Sequence, residues 1–389
     1  FARVLDPVGD ALEDGSPMVR TPELEQAAAR LEGMLLGGDG ETIRCPLLVG
    51  EEGCGKSVLL RCVVKRLQDA GFTVVEASGP DIVSGQCYLG DLEKRVRGMV
   101  EALEKEKFVW LVPSLAELVD AGKTRASEAG VFDLILPHLL RGGIRMLAEI
   151  RPGVLDKLLG EVPRVSSAMT VARIGPASEQ SALSIAAEWL RGHPGERGAK
   201  LRAGREQLAE GCRLAEQYFP GPALPGRLFT LVRAALHRVA ETGGGTRELD
   251  RALLLESISD TTGMPIELLD DERPLDLEAV RARFASTVMG QPEAVDALVA
   301  RLAMMKAGLT DPSRPQGVFL FAGPTGTGKT ELAKCLAGYL FGSAERMLRI
   351  DMSELQGGNL HRLTGSPASG APTSLASMVR QQPFSVVLL

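Results

Sequence analysis

Two stretches of this chain set glycine, lysine and hydroxyl residues at the spacing of a phosphate cradle. Gly50-Glu-Glu-Gly53-Cys-Gly55-Lys56-Ser57 and Gly323-Pro-Thr325-Gly326-Thr327-Gly328-Lys329-Thr330 both fit G-x-x-x-x-G-K-[S/T]. Glycines at these places let the backbone curl until successive N–H groups converge on phosphate oxygens. A helix that starts at the loop turns the positive end of its dipole toward the same anion. Lys56 and Lys329 are then placed to bridge the β and γ phosphates of a nucleoside triphosphate such as ATP, and Ser57 and Thr330 to ligate its Mg²⁺.

Such a cradle needs a strand before it and a helix after it, and both copies have them. Arg44-Cys-Pro-Leu-Leu-Val-Gly50 reads as a buried strand, with a helix over 57–69 behind the loop. Gln316-Gly-Val-Phe-Leu-Phe-Ala-Gly323 reads as a second strand, with a helix over 330–340. The pattern alone arises by chance. Its repetition in the same strand–loop–helix setting argues against decorative glycine turns. The two lysines lie 329 − 56 = 273 residues apart, room for one complete nucleotide-binding module.

Strands at 72–76, 108–112 and 144–149 follow the first loop helix, with an amphipathic helix at 92–106. Strands alternating with helices predict a parallel α/β sheet. From Pro176 to about Thr262 the pattern is helical only, with helices at 179–191, 203–218, 227–240 and 247–259 and a turn cluster at Thr242-Gly-Gly-Gly-Thr246. Helices at 275–284 and 292–307 lead into the second loop. No heptad run marks a long coiled-coil insert.

With 389 residues, 44% of them apolar and 24% charged, the chain can bury real cores and is not dominated by disorder. The net charge of −6 argues against a broad, sequence-independent grip on nucleic acid, which needs excess positive charge. No run of apolar residues is long enough to span a membrane. Cys45, Cys54, Cys62, Cys87, Cys212 and Cys335 are scattered with no C-x-x-C, which fits reduced thiols in a cytoplasmic protein. None of His138, His193, His237 and His361 has metal-site spacing. The chain starts at Phe1 rather than Met and stops at Val386-Val-Leu-Leu389, mid-strand in character, so it reads as a piece of something longer.

The segment from Asp311 through the second loop to Ala337, followed by Arg349-Ile-Asp-Met-Ser-Glu354, resembles the second ATPase module of Clp-type AAA+ unfoldases and disaggregases. Val288-Met-Gly290-Gln291 is similar to that family's box near the adenine, and Thr262-Gly-Met-Pro265 to its inter-module linker. Pro383-Phe-Ser-Val-Val-Leu-Leu389 resembles the strand that carries the Walker B acid pair; the pair itself would follow Leu389, so no catalytic residue of the second site is assigned. The resemblance implies P-loop AAA+ parallel-sheet large subdomains with an all-helical small subdomain between them. The bounds it suggests are residues 1–174, 175–262 and 263–389.

The first module resembles the family less closely. Gly85-Gln-Cys-Tyr88 is similar to the pore-loop segment, where an aromatic grips a threaded polypeptide; Tyr88 takes that position. Arg227, in Leu224-Pro-Gly-Arg227, stands where a small-domain residue contacts nucleotide in the family. The catalytic parts depart. The family's strand ends in Asp-Glu, whereas Phe108-Val-Trp-Leu-Val112 runs into Pro113-Ser114. The γ-phosphate sensor position reads Ile150-Arg151, and the paired arginines that reach a neighbour's site align near Ser166-Ser167. Such arginines are worth ~10³–10⁵ in rate in related hydrolases. These losses predict a first site that binds ATP and turns it over poorly. Cys54 sits at a helix start, where a thiol pKa can fall, or is simply a small side chain in a tight loop. The second pore-loop region, between Gly365 and Leu375, has no aromatic.

The family resemblance further implies a homo-hexameric ring that uses ATP to pull a polypeptide through its channel, with a peptidase or adaptor partner left unnamed. Two other readings stay open: a non-catalytic AAA+ ring scaffold or adaptor that uses ATP structurally, and a nucleic-acid-remodelling motor.

Overall fold

The computed structural model describes residues 2–9, 17–37, 45–84, 89–105, 107–123, 130–193, 195, 197–219, 221–310, 314–352, 375–382 and 384–389. Through the first loop and its sheet the order is β1 (Arg3–Val4), α1 (Pro22–Leu36), β2 (Cys45–Val49), α2 (Lys56–Asp69), β3 (Thr73–Glu76), α3 (Gly79–Val83), α4 (Leu89–Lys105), β4 (Phe108–Val112), α5 (Leu115–Asp120), α6 (Val131–Leu140), β5 (Met146–Ile150), α7 (Pro152–Glu161), α8 (Val165–Ala168) and β6 (Met169–Arg173). Then come α9 (Glu179–Gly192), β7 (Ala199–Arg202), α10 (Arg205–Tyr218), α11 (Gly226–Glu241), β8 (Gly245–Glu248) and α12 (Arg251–Thr262). The rest is α13 (Ile266–Leu269), α14 (Leu277–Thr287), α15 (Pro292–Lys306), α16 (Lys329–Phe341), β9 (Met347–Arg349), α17 (Leu375–Gln381) and β10 (Val386–Leu388).

The described chain forms two compact units. One comprises residues 1–212, 221–230 and 245–247; the other comprises 213–220, 231–244 and 248–389. In the first unit six strands form one sheet in the order β1-β3-β4-β5-β2-β6, parallel except for β1. Parallel strands covered on both faces must be apolar almost throughout, and all five residues of β2 are buried. Leu47 and Leu48 are fully enclosed, each contributing roughly 1.5–3 kcal/mol by leaving water. Alternation sends Cys45, Leu47 and Val49 into a core shared with α4, α5 and α6, while Leu48 faces α1 and α2 with Leu111 and Leu147. The sheet thereby carries a helical layer on each face, as the alternation of elements predicts.

The all-helical expectation for 175–262 needs one correction. β7 and β8 pair as a two-stranded sheet inside it. Both are four-residue strands, Ala-Lys-Leu-Arg and Gly-Thr-Arg-Glu, short and charged, with no aromatic and a single β-branched residue. Nothing in their composition separates them from loop.

In the second unit β9 and β10 pair in parallel, Leu348 beside Val387. The strand predicted at Gln316–Gly323 is not in a sheet: no strand is assigned over 316–323, and Val318 and Leu320 are 86% and 94% exposed. The physical reason lies in strand order. Its counterpart in the first unit, β2, is held between β5 and β6. Among the described residues the second unit has counterparts of β3 and β4, namely β9 and β10, but none of β5 or β6. An apolar strand without lateral partners forms no ladder, whatever its composition. The core of this unit is instead made by α14, α15 and α16, with Phe284 fully buried against Tyr339.

Candidate nucleotide sites

Both loops fold into the same local shape. Gly53 and Gly55 have φ of +83° and +98°; Gly326 and Gly328 have +84° and +87°. These left-handed values favour glycine because a Cβ strains the backbone there. Gly55 and Gly328 are the N-caps of α2 and α16, and neither helix has a side-chain cap bond. The first-turn N–H groups that a Ser or Asp cap would occupy are thus left for an anion.

The lysines match as well. Lys56 Nζ donates to Gly50 O (2.9 Å) and Glu51 O (2.7 Å), and Lys329 Nζ to Gly323 O (2.7 Å) and Pro324 O (2.5 Å). Each ammonium is held over its loop with one proton to spare. Ser57 and Thr330, the Mg²⁺-side hydroxyl residues, are exposed in the first turn of their helices. Among the described residues no three acidic, histidine or cysteine side chains gather into a metal cage. That suits Mg²⁺ held mainly by phosphates and water with one or two protein groups.

Arg227 is brought to the first loop. Ala223 N donates to Glu52 O (2.7 Å) and Gly226 N to Gly53 O (2.9 Å), so residues 222–227 lie along the loop backbone. Arg227 Nε donates to Pro222 O at 2.9 Å, folding its side chain onto that segment. At the second loop, Gln291 Nε2 donates to Thr327 O (3.2 Å), and a Cβ on Gly328 would stand 2.9 Å from Val288. Val288 is buried, and Gly290 has φ +78° and turns the chain into α15. Thr325 is exposed, while Thr327 donates to Pro324 O and braces the loop. Tyr88 and the region between Gly365 and Leu375 lie outside the described residues.

The eroded catalytic positions are occupied by side chains with other work. Ser114 is the N-cap of α5, accepting from Glu117 N. Ser166 donates to Pro163 O. Arg151 faces the loop residue Glu52 across 3.3 Å, both well exposed. The thiol of Cys54 goes the opposite way to the helix-start expectation: burial pushes it up, outweighing Lys56, and the side chain is 5% exposed. It fills the loop's underside.

One residue that sequence reasoning passed over stands at this site. Glu149, near the end of β5, pairs with Leu48 of β2 and so shares the face from which α2 rises. Its Oε2 is buried and has no hydrogen-bond partner among the described residues. Burial holds its carboxyl above the usual carboxylate range, with Lys56 and Arg151 as the cations that oppose this. An acid in a buried strand beside a phosphate loop was visible as a letter. Its position next to Pro113 depends on strand register and was not.

The comparisons agree with this geometry. The model of the ATPase family associated with various cellular activities (AAA) matches residues 46–139, and that of the AAA domain (Cdc48 subfamily) matches 314–389. Each match covers or directly adjoins one phosphate loop. Among curated proteins, the chloroplastic chaperone ClpC2 of Oryza sativa subsp. japonica is 25% identical over 95% of this chain and 48% of its own length. A homolog of the Clp protease ATP-binding subunit ClpA from Guillardia theta is 25% identical over 99% and 59%. Both loops thus lie in AAA-type ATPase domains, and the chain is similar to Clp chaperones. Solved Hsp104 chains share its fold: one with ATPγS and FITC casein (TM-score 0.61, 24% identity, covering 96% of this chain and 64% of that one), and the Saccharomyces cerevisiae Hsp104–ADP complex (TM-score 0.61, 22% identity, 99% and 67%). The chain spans about half the length of the curated relatives it matches.

Proposed function

We propose that this chain is an ATP-driven protein unfoldase or remodelling chaperone whose first site holds ATP without hydrolysing it and whose second site supplies turnover. ATPase activity in general follows from the AAA modules. The unequal division of labour rests on one observation: two loops of matching glycine geometry, of which the first is followed by a strand ending in Pro113-Ser114. Neither residue can take a proton from an attacking water.

Binding draws on the N–H groups of Gly53, Gly55 and Lys56, on the Lys56 ammonium, and on Arg227 beside the loop. The second site would use Gly326, Gly328, Lys329, and the Val288–Gln291 segment. The open helix starts fit an anion, and Ser57 and Thr330 fit the hydroxyl ligand of Mg²⁺, which when bound neutralises phosphate charge. We further propose the subdomain bounds 1–174, 175–262 and 263–389, a homo-hexameric ring, a polypeptide substrate and a cytoplasmic setting. For the substrate, the support is that a solved Hsp104 structure is a complex with casein. For the setting, no described helix is long and apolar enough to cross a membrane, and Cys45, Cys54, Cys62, Cys212 and Cys335 are free thiols.

Equilibrium binding of a fluorescent ATP analogue and steady-state ATPase activity of the full-length protein test this together. Lys329→Ala should abolish turnover and leave binding at the first site. Lys56→Ala should remove that binding and leave turnover. Turnover that survives Lys329→Ala and vanishes with Lys56→Ala refutes the assignment. A wild type with no turnover favours the scaffold reading.

A further inference from the structure

The missing acid of the first site has a neighbour that can replace part of it. β4 and β5 pair with Leu111 beside Leu147 and Val112 beside Ala148. One step further along that register sets Pro113 beside Glu149. In a parallel pair, residues side by side project to the same face. Pro113 is the position where the family's strand carries the Asp that helps hold Mg²⁺. Glu149 therefore projects from the adjacent strand onto the face that the lost Asp would have served. Its other neighbour in the sheet is Leu48, two residues before the phosphate loop opens. Gly50 N bonds Ile150 O, which ties the mouth of the loop to the end of β5.

Three features of Glu149 point to a cation. It is an acid in a strand whose other four residues are apolar and buried. One of its oxygens is enclosed with no hydrogen bond from any described residue. A carboxylate in that state is costly unless something positive is brought to it. Lys56 is the loop cation that acts on it, and Lys56 is bonded instead to two loop carbonyls.

We propose that Glu149 takes over the Mg²⁺-side role of the carboxylate absent at Pro113, holding the cation of a bound Mg·ATP through a water on the first loop. This rests on the reading of that loop as a nucleotide site. Adjacent strands are about 4.8 Å apart. The extra methylene of Glu over Asp and one bridging water cover that offset. The role is confined to the cation. Ser114 itself supplies no base: its hydroxyl caps α5. The site is thus equipped to hold Mg·ATP firmly and still not cleave it.

The test uses the full chain with Lys329→Ala, so that nucleotide reports on the first loop alone. A fluorescent ATP analogue is titrated with Mg²⁺ and with EDTA, in the parent and in Glu149→Gln. Gln keeps the shape and removes the charge; melting curves of both chains check the fold. The parent should bind more tightly with Mg²⁺. Glu149→Gln should weaken the Mg²⁺ dependence by roughly 10–100-fold, the usual effect of losing an outer-shell partner, and leave binding in EDTA equal or tighter. Adding Pro113→Asp to Glu149→Gln should restore the Mg²⁺ dependence. Affinity that rises equally in both media on Glu149→Gln makes Glu149 a mere repulsive charge and overturns the proposal, as does unchanged Mg²⁺ dependence. Failure of Pro113→Asp to restore it overturns the shared position. A parent that binds no nucleotide in either medium overturns the first-site reading and this inference with it.

Discussion

Gly226→Ala is the sharpest test of how Arg227 and its segment are held on the first loop. A Cβ built on Gly226 would stand 2.5 Å from Gly53 Cα, 2.9 Å from Gly53 O and 3.1 Å from Gly53 C. Ordinary contact begins at 3.4 Å, so backbone must yield by 3.4 − 2.5 = 0.9 Å. No flexible side chain can absorb that, because the atoms met belong to the loop backbone. Gly226 N also donates to Gly53 O at 2.9 Å, and a displacement of this size breaks that bond. Forced overpacking costs about 1–3 kcal/mol. Against this, Ala at a helix position gains roughly 0.5–1 kcal/mol over Gly. The close approach wins, for a net loss on the order of 1–2 kcal/mol.

A matched control separates the two terms. Gly98 lies in α4, exposed, with nothing within 4 Å of its added Cβ. Gly98→Ala should stabilise by about 0.5–1 kcal/mol. In the Lys329→Ala background, thermal melting and ATP-analogue titration read both effects. Gly226→Ala should melt lower and bind the analogue several-fold more weakly, since Gly53 moves; Gly98→Ala should melt higher with binding unchanged. A Gly226→Ala chain that melts and binds like its parent would show that the segment does not rest on the loop, and Arg227 would leave the site with it.

Two further outcomes follow from the same geometry. Cys54, buried and with its thiol pushed up, holds less thiolate than a free cysteine at any pH below that raised value, so iodoacetamide at pH 8 should label it far more slowly than an exposed thiol, and labelling should climb with pH; fast labelling read by peptide mass spectrometry would contradict the packed underside of the loop. Ser114→Ala removes the cap of α5 and should lower stability by about 0.5–2 kcal/mol while leaving ATPase activity of the whole protein unmoved; a fall in turnover without a fall in melting temperature would give Ser114 a chemical role.

What could be read from the letters divides by the range of the interactions involved. The strand 108–112 and the helix over 179–191 depend on local apolar pattern and on caps such as Ser178, and both stand where the pattern puts them. The loops are local too: glycine spacing determines their shape, and both adopt it. The strand at 316–323 has a stronger apolar run than β9, yet forms no ladder, because pairing depends on which strands lie alongside. Propensity measures fitness for a sheet and does not supply one.

The same distinction governs the first site. Loss of Asp-Glu after β4 is legible, since it occupies one motif. The compensation proposed from another strand is not, because Pro113 and Glu149 are 36 residues apart and meet only through register. A one-residue slip between β4 and β5 would turn Glu149 to the other face, among Ala148 and Ile150. The apolar alternation of β5 forbids that slip: Met146, Ala148 and Ile150 are buried on the far side. The packing that fills the core is thus also what sets the carboxylate on the sheet face shared with Leu48 and α2. A module judged by its motif alone would be counted as having no acid there, whereas the sheet keeps the Glu149 carboxylate one strand away from Pro113.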